Sequence, residues 1–158
     1  MKNALLILIF FINSINSYSQ TASTFQCVRY ENVVVINMTL DNLYNIEQIS
    51  NHDFIDQLHS LGYVAMPDED GCYLDNNGPA GFPYFVACKY PGMASFMWTA
   101  KNPMTIDLKD ELEKYFVGYE NGKAVYKIKT SERNYAVYLD LKDDGSGSVT
   151  IKKLLPNN

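Results

Sequence analysis

The chain has 158 residues, of which 47% are hydrophobic and 20% are charged, and its formal net charge is -5. This composition suits one globular domain, or two very small ones, and excludes a disordered tail, a collagen-like fibre and a multispan membrane protein. Thirteen basic residues face 18 acidic ones, whereas a nucleic-acid-binding protein needs a clustered excess of Lys and Arg to neutralise phosphates. We therefore expect no nucleic-acid partner.

Residues 1–19 have the three-part layout of a secretory signal peptide. A short basic start precedes an uninterrupted apolar run at residues 4–12 and a mostly polar stretch. The apolar run is less than half the roughly 20 residues of a membrane-spanning helix, so we expect cleavage and no membrane span afterwards. Small residues place the cut between Ser19 and Gln20, with Ser23 as a second choice. The alternative for this segment is a buried N-terminal helix.

The mature chain, residues 20–158, is predicted to be a single exported domain in the periplasm or outside the cell. Losing Lys2 leaves 12 basic against 18 acidic residues, a net charge of -6. In an oxidising compartment the three cysteines, Cys27, Cys72 and Cys88, allow at most one intramolecular disulfide. We favour Cys72 with Cys88, because their predicted strands are expected to be neighbours. Three buried, reduced thiols are the alternative.

The pattern of apolar residues predicts an α+β fold with a mostly antiparallel, meander-like sheet and two to three helices. Helices are expected at 40–49, where the apolar spacing is weak, at 51–61, where Ser50 and Asp53 can form a capping box, and at 107–115. Strands are expected at 25–38, 63–66, 72–74, 82–89, 94–100, 115–120, 123–130, 135–141 and 148–154.

The two halves of the chain share one predicted order, a helix followed by about four strands. Trp98 and Ile151 are 53 residues apart, as are Lys89 and Lys142, and the two helices match at a spacing of 54. Such a constant spacing indicates a tandem repeat of helix-plus-four-strand units. Chance alignment of two similar segments is the alternative.

As a tandem repeat, the chain would divide into units at 51–101 and 105–155. This arrangement resembles secreted inhibitor proteins of the β-lactamase-inhibitor type. The resemblance is one of fold without a matching motif, so it implies an architecture and no particular partner.

Motifs that would indicate catalysis or metal binding are missing from the sequence. His52 and His59 lie opposite the apolar side of a predicted helix, where we expect solvent rather than zinc. The acidic segment that begins at Asp68 lacks the ligand spacing of an EF-hand. Neither Gly-x-Ser-x-Gly nor Ser-x-x-Lys occurs. We therefore predict no catalytic residue, metal or cofactor and expect a non-enzyme, with a small secreted hydrolase that uses carboxylates as the alternative.

The segments 82–88 and 94–98 carry bulky apolar residues at successive positions, which breaks the strand alternation. Such strands are either covered on both faces or expose an apolar patch that can receive a partner. The anchors of that patch would be Tyr84, Phe85, Met97 and Trp98. We therefore predict an exported binding or inhibitory module with a protein partner. The alternatives are that these residues are core, and that the protein is a structural envelope component without a discrete ligand.

Overall fold

The structure is a computed structural model. The predicted cleavage site at Ser19 and Gln20 lies outside the residues that it describes, as does Tyr84. The described residues are 25–30, 33–67, 69–75, 85–99 and 104–155.

Three α-helices lie in these residues, and each begins close to a predicted start. They are α1 (Leu40–Gln48), α2 (Asn51–Ser60) and α3 (Met104–Leu112). The N-cap half of the predicted capping box is present, because the Ser50 hydroxyl accepts from the backbone N–H of Asp53 at 3.0 Å. The Asp53 carboxylate accepts from that hydroxyl at 2.7 Å. α3 begins three residues before its predicted start and continues as a 3-10 turn at Glu113–Tyr115. No described helix is long and apolar enough to cross a membrane.

Ten β-strands also lie in the described residues. They are β1 (Cys27–Tyr30), β2 (Val33–Ile36), β3 (Tyr63–Ala65), β4 (Cys72–Asp75), β5 (Phe85–Tyr90), β6 (Met93–Trp98), β7 (Phe116–Glu120), β8 (Lys123–Lys129), β9 (Asn134–Leu141) and β10 (Gly147–Leu154). β1 and β2 pair with each other, and the other eight form one antiparallel sheet in the order β3-β4-β5-β6-β10-β9-β8-β7. The predicted α+β fold with a meander-like sheet is confirmed.

The sheet consists of two four-strand meanders that meet in its middle. α2 precedes the meander β3 to β6, and α3 precedes the meander β7 to β10. At the junction β6 pairs with β10, and Phe96 lies directly opposite Val149. These two residues are 53 positions apart in the chain, the same spacing that separates Trp98 from Ile151. α1 and the β1–β2 hairpin lie outside the two units.

The predicted match between Lys89 and Lys142 is wrong. Phe85 in β5 pairs with Trp98, and Val137 in β9 pairs with Ile151, the residue matched to Trp98. Phe85 therefore corresponds to Val137, so β5 matches β9 at a spacing of 52 rather than 53. A shift of one residue moves a side chain to the opposite face of a sheet. Lys89 is accordingly buried, with 5% of its surface exposed, whereas the side chain of Lys142 is largely exposed.

The main hydrophobic core lies between the sheet and a layer formed by the helices and the β1–β2 hairpin. α1 packs across both β6 and β10, which bring Phe96 and Val149 into the centre of the core. Trp98 lies opposite Gly147, where a Cβ atom would come within 2.9 Å of the indole ring. Glycine at this position therefore makes room for the single tryptophan, whose Nε1 donates to the carbonyl oxygen of Gly145 at 3.1 Å.

Candidate binding face of the sheet

Strand alternation divides the eight-stranded sheet into an inner face, which meets the helices, and an outer face. In β6, Phe96 and Trp98 point inward and are buried, while Met97 between them points outward. The strand residues in the core that the helices share belong to the inner face. The helices and hairpin that the structure describes therefore cover one side of the sheet, and the outer face is the surface to search for a site.

Two of the four predicted partner-binding anchors lie on the wrong face. Phe85 and Trp98 are paired across β5 and β6, and each is only 1% exposed within the core. The alternative drawn from the sequence, that these residues are core, holds for both. Met97 lies on the outer face with 51% of its surface exposed. Tyr84 lies outside the described residues, so its predicted role stays a prediction.

Met97 belongs to a row of four aliphatic side chains that crosses the outer face. Cross-strand pairing joins Val64 to Leu74, Leu74 to Val86, and Val86 to Met97. We call these four residues the aliphatic row. Val64 is 45% exposed, and Leu74 and Val86 are partly exposed. The successive apolar residues at 82–88 and 94–98 indicated the strands that carry Val86 and Met97. Nothing in the sequence indicated Val64 and Leu74.

Next to the aliphatic row, Cys72 and Cys88 form a disulfide between directly paired residues of β4 and β5. This is the pairing that the sequence favoured. The Tyr90 hydroxyl lies 3.2 Å from the sulfur of Cys72. Glu69 is close to both sulfur atoms, but sulfur atoms bonded to each other are not thiolates, so they do not form a metal site with it. The third cysteine, Cys27, is a free thiol. Burial raises the pKa of this thiol to about 11, which keeps it protonated and unreactive near neutral pH.

The other half of the outer face holds a shallow recess of about 820 Å³. Its floor consists of Val125, Ala136 and Tyr138, which belong to β8 and β9, and Glu120 lies at its margin. Its other charged residues are Lys127, Lys129, Lys152 and Lys153. We call this site the lysine recess. All four lysines are exposed, and the three ion pairs found among the described residues involve none of them.

Charged side chains on the inner side of the sheet have a different role. Lys89 Nζ donates to the backbone carbonyls of Ile46 and Glu47, at 2.6 and 2.8 Å, and so caps the C-terminal turn of α1. The carboxylate of Glu47 accepts from the Tyr135 hydroxyl at 3.3 Å and lies 3.6 Å from the guanidinium of Arg133. This network joins α1 to both meanders, which is a structural rather than a catalytic arrangement.

The two histidines lie on the exposed side of α2. His52 Nε2 lies 3.4 Å from a carboxylate oxygen of Asp56, one turn further along the helix. The ring of His59 packs edge-on against Tyr73 at 5.5 Å. The first contact lies within α2 and the second joins α2 to β4, and neither joins a histidine to the outer face.

No known protein family, curated protein or solved structure matches this chain.

Proposed function

We propose that the protein is an exported binding module that receives a protein partner on the outer face of its sheet. The observation that carries this proposal is the aliphatic row, because four apolar side chains from four adjacent strands form one contiguous exposed surface. Contiguous apolar surface of this kind marks interaction sites in soluble proteins. Inhibition would follow if the partner is an enzyme whose active site the sheet covers.

The shape and rigidity of the outer face support this role. Its eight strands span about 34 Å at the usual strand spacing, so a partner that lies on this face can contact several strands at once. The disulfide beside the aliphatic row ties β4 to β5, so the row is held in place before a partner arrives. A preorganised surface loses less conformational entropy on binding.

The proposed export has support from the same disulfide. Disulfides persist in the periplasm and outside the cell, whereas thioredoxin and glutathione keep most cytosolic thiols reduced. A covalent link in the outer face therefore fits a protein that works beyond the cytoplasm, as the signal-peptide pattern predicts.

Site-specific photocrosslinking tests the function. A photoreactive amino acid replaces Met97 in the centre of the face, and in a control protein it replaces Lys109, an exposed residue of α3 on the opposite side of the sheet. The proposal predicts a discrete adduct from position 97 in the envelope fraction or the medium and none from position 109.

Competition then shows whether the aliphatic row is responsible. An excess of the unmodified protein should suppress the adduct, and an excess of the folded Met97→Asp variant should not, because a carboxylate in the row would be desolvated by the partner. Equal labelling from both positions, or equal competition by the two proteins, would contradict the proposal.

A further inference from the structure

We propose that the lysine recess binds an acidic protein segment that presents carboxylates together with an apolar side chain. This inference rests on the proposed function, since it gives the chemistry of the partner at the second half of the same outer face.

The first argument is the local reversal of charge. The protein as a whole carries a net charge of -5, yet the recess is lined by four lysines and one glutamate, Glu120. No carboxylate of the described residues lies within 4.0 Å of these ammonium groups. Because the field of an acidic protein repels anions elsewhere, a negatively charged partner gains electrostatic complementarity at this recess.

The second argument is the spacing of the lysines. Lys127 and Lys152 flank Ala136 in one row across three strands, which places their Cα atoms about 10 Å apart. Lys129 follows Lys127 on the same face of β8, about 7 Å further along the strand. In an extended segment, side chains two residues apart share that 7 Å spacing. Carboxylates at alternate positions of a segment that runs along β8 would therefore meet Lys127 and Lys129, while Lys152 lies across the row from Lys127.

The third argument is the apolar floor. Val125 and Ala136 are buried beneath the recess, so the apolar surface that a ligand can reach comes from Tyr138 and Leu154, which are partly exposed, and from Leu155, which is 82% exposed. A polysaccharide or another purely anionic polymer would leave this apolar surface without a complement. A polypeptide with mixed acidic and apolar side chains complements both this surface and the lysines.

A peptide titration tests this inference without knowledge of the natural partner. The probe is a fluorescein-labelled peptide with alternating Asp and Leu residues, and the matched control peptide has Asn in place of Asp. Fluorescence anisotropy should show saturable binding of the Asp peptide, weaker at about 300 mM than at about 20 mM NaCl because salt screens exposed charges. The Asn peptide should bind at least about tenfold more weakly.

Two charge-reversal variants locate the site. Lys127→Glu with Lys152→Glu should weaken binding of the Asp peptide by about tenfold or more. The control, Lys109→Glu with Lys114→Glu, makes the same change of net charge on the far side of the molecule and should leave binding within about twofold of the unmodified protein. Equal weakening by both pairs would overturn the proposal, because the effect would then come from net charge alone.

Equal binding of the Asp and Asn peptides would also overturn the inference. So would binding of heparin or polyglutamate as tight as that of the Asp peptide, because a general anion site would explain that result. These failures are distinct from failure of the proposed function. If the adduct at position 97 forms and the peptide does not bind, only the inference about the recess falls. If the peptide binds and position 97 gives no specific adduct, the role of the aliphatic row falls.

Discussion

Lys89 shows how one buried charge connects helix to sheet. The last carbonyl groups of a helix have no partner within it, and those of Ile46 and Glu47 in α1 are satisfied by the ammonium group of Lys89, which extends from β5. Burial lowers the pKa of Lys89, and the nearby charge of Glu47 opposes that effect. A cation at the C-terminal end of a helix also interacts favourably with the helix dipole.

Replacing this lysine with methionine should destabilise the protein. The Lys89→Met variant keeps most of the side-chain volume and removes the donor, so two buried carbonyls lose their partner, and we expect the free energy of unfolding to fall by about 2–4 kcal/mol. Urea denaturation followed by circular dichroism measures the change. The control variant Lys127→Met changes an exposed lysine, and its free energy of unfolding should stay within about 0.5 kcal/mol of that of the unmodified protein. Equal effects of the two variants would show that the cap contributes nothing.

Tyr44 is the residue whose polar group is least well satisfied. Its hydroxyl is buried, and among the described residues it has no hydrogen-bond partner, while its ring packs against Tyr135 with centroids 4.9 Å apart. Burial, with smaller contributions from nearby tyrosines and Asp41, raises the pKa of Tyr44 to about 12. The ring thus contributes apolar packing in the core region, whereas a buried hydroxyl without a partner costs stability.

Among the elements, α1 depends most on its tertiary surroundings. Its weak apolar spacing is offset by Asn42, a buried residue whose side chain accepts from the backbone N–H of Gln26 at 2.7 Å and donates to the carbonyls of Gln26 and Asn37, at 2.9 and 2.7 Å. The Thr39 hydroxyl caps the first turn by accepting from the N–H of the same asparagine. These bonds dock α1 against the β1–β2 hairpin, and none of them is visible as an amphipathic pattern.

The disulfide acts on the pair β4–β5. It closes a loop with a sequence separation of 16, so the chain-entropy model gives it about 3 kcal/mol of stabilisation. We predict that replacing both Cys72 and Cys88 with alanine lowers the free energy of unfolding by about this amount. Urea denaturation with and without dithiothreitol checks the prediction.

Reductant provides the matching control for the disulfide. Dithiothreitol should destabilise the unmodified protein and the Cys27→Ala variant alike, because Cys27 is a free thiol. It should have no effect on the double variant, which has no bond left to reduce. A reductant effect of the same size in the double variant would mean that the disulfide is not its target.

At the scale of the whole molecule, the two meanders share one core. Phe96 and Val149 are paired across β6 and β10, both are fully buried, and α1 covers the strands that carry them. Neither meander therefore has a complete core of its own. We predict that both unfold in one cooperative transition.

Hydrogen exchange checks this cooperativity residue by residue. The Val149→Ala variant should lower the free energy of opening by about 2 kcal/mol both at Phe85, in the first meander, and at Val137, in the second. The control variant Val117→Ala changes an exposed residue of the edge strand β7. It should alter the free energy of opening at Phe85 and at Val137 by no more than about 0.5 kcal/mol. A loss of protection confined to the second meander would show instead that the halves are independent domains.

The sequence by itself determined the kinds of elements, their order and most of their ends. These features depend on local physics: the periods of helix and strand, the N-cap at Ser50, and the preferences of turn residues. The favoured disulfide between Cys72 and Cys88 also came from local pattern, because two consecutive strands of a meander are neighbours.

Only the tertiary structure decided which apolar residues are core and which are surface. The segments around Phe85 and Met97 are apolar at successive positions, so their sequence does not distinguish the inner face from the outer one. The choice depends on where α1, α2 and the hairpin pack and on the register between strands, both of which involve residues far apart in the chain. For the same reason the aliphatic row and the lysine recess exist only in the folded protein, where strand pairing brings their distant residues together on one face.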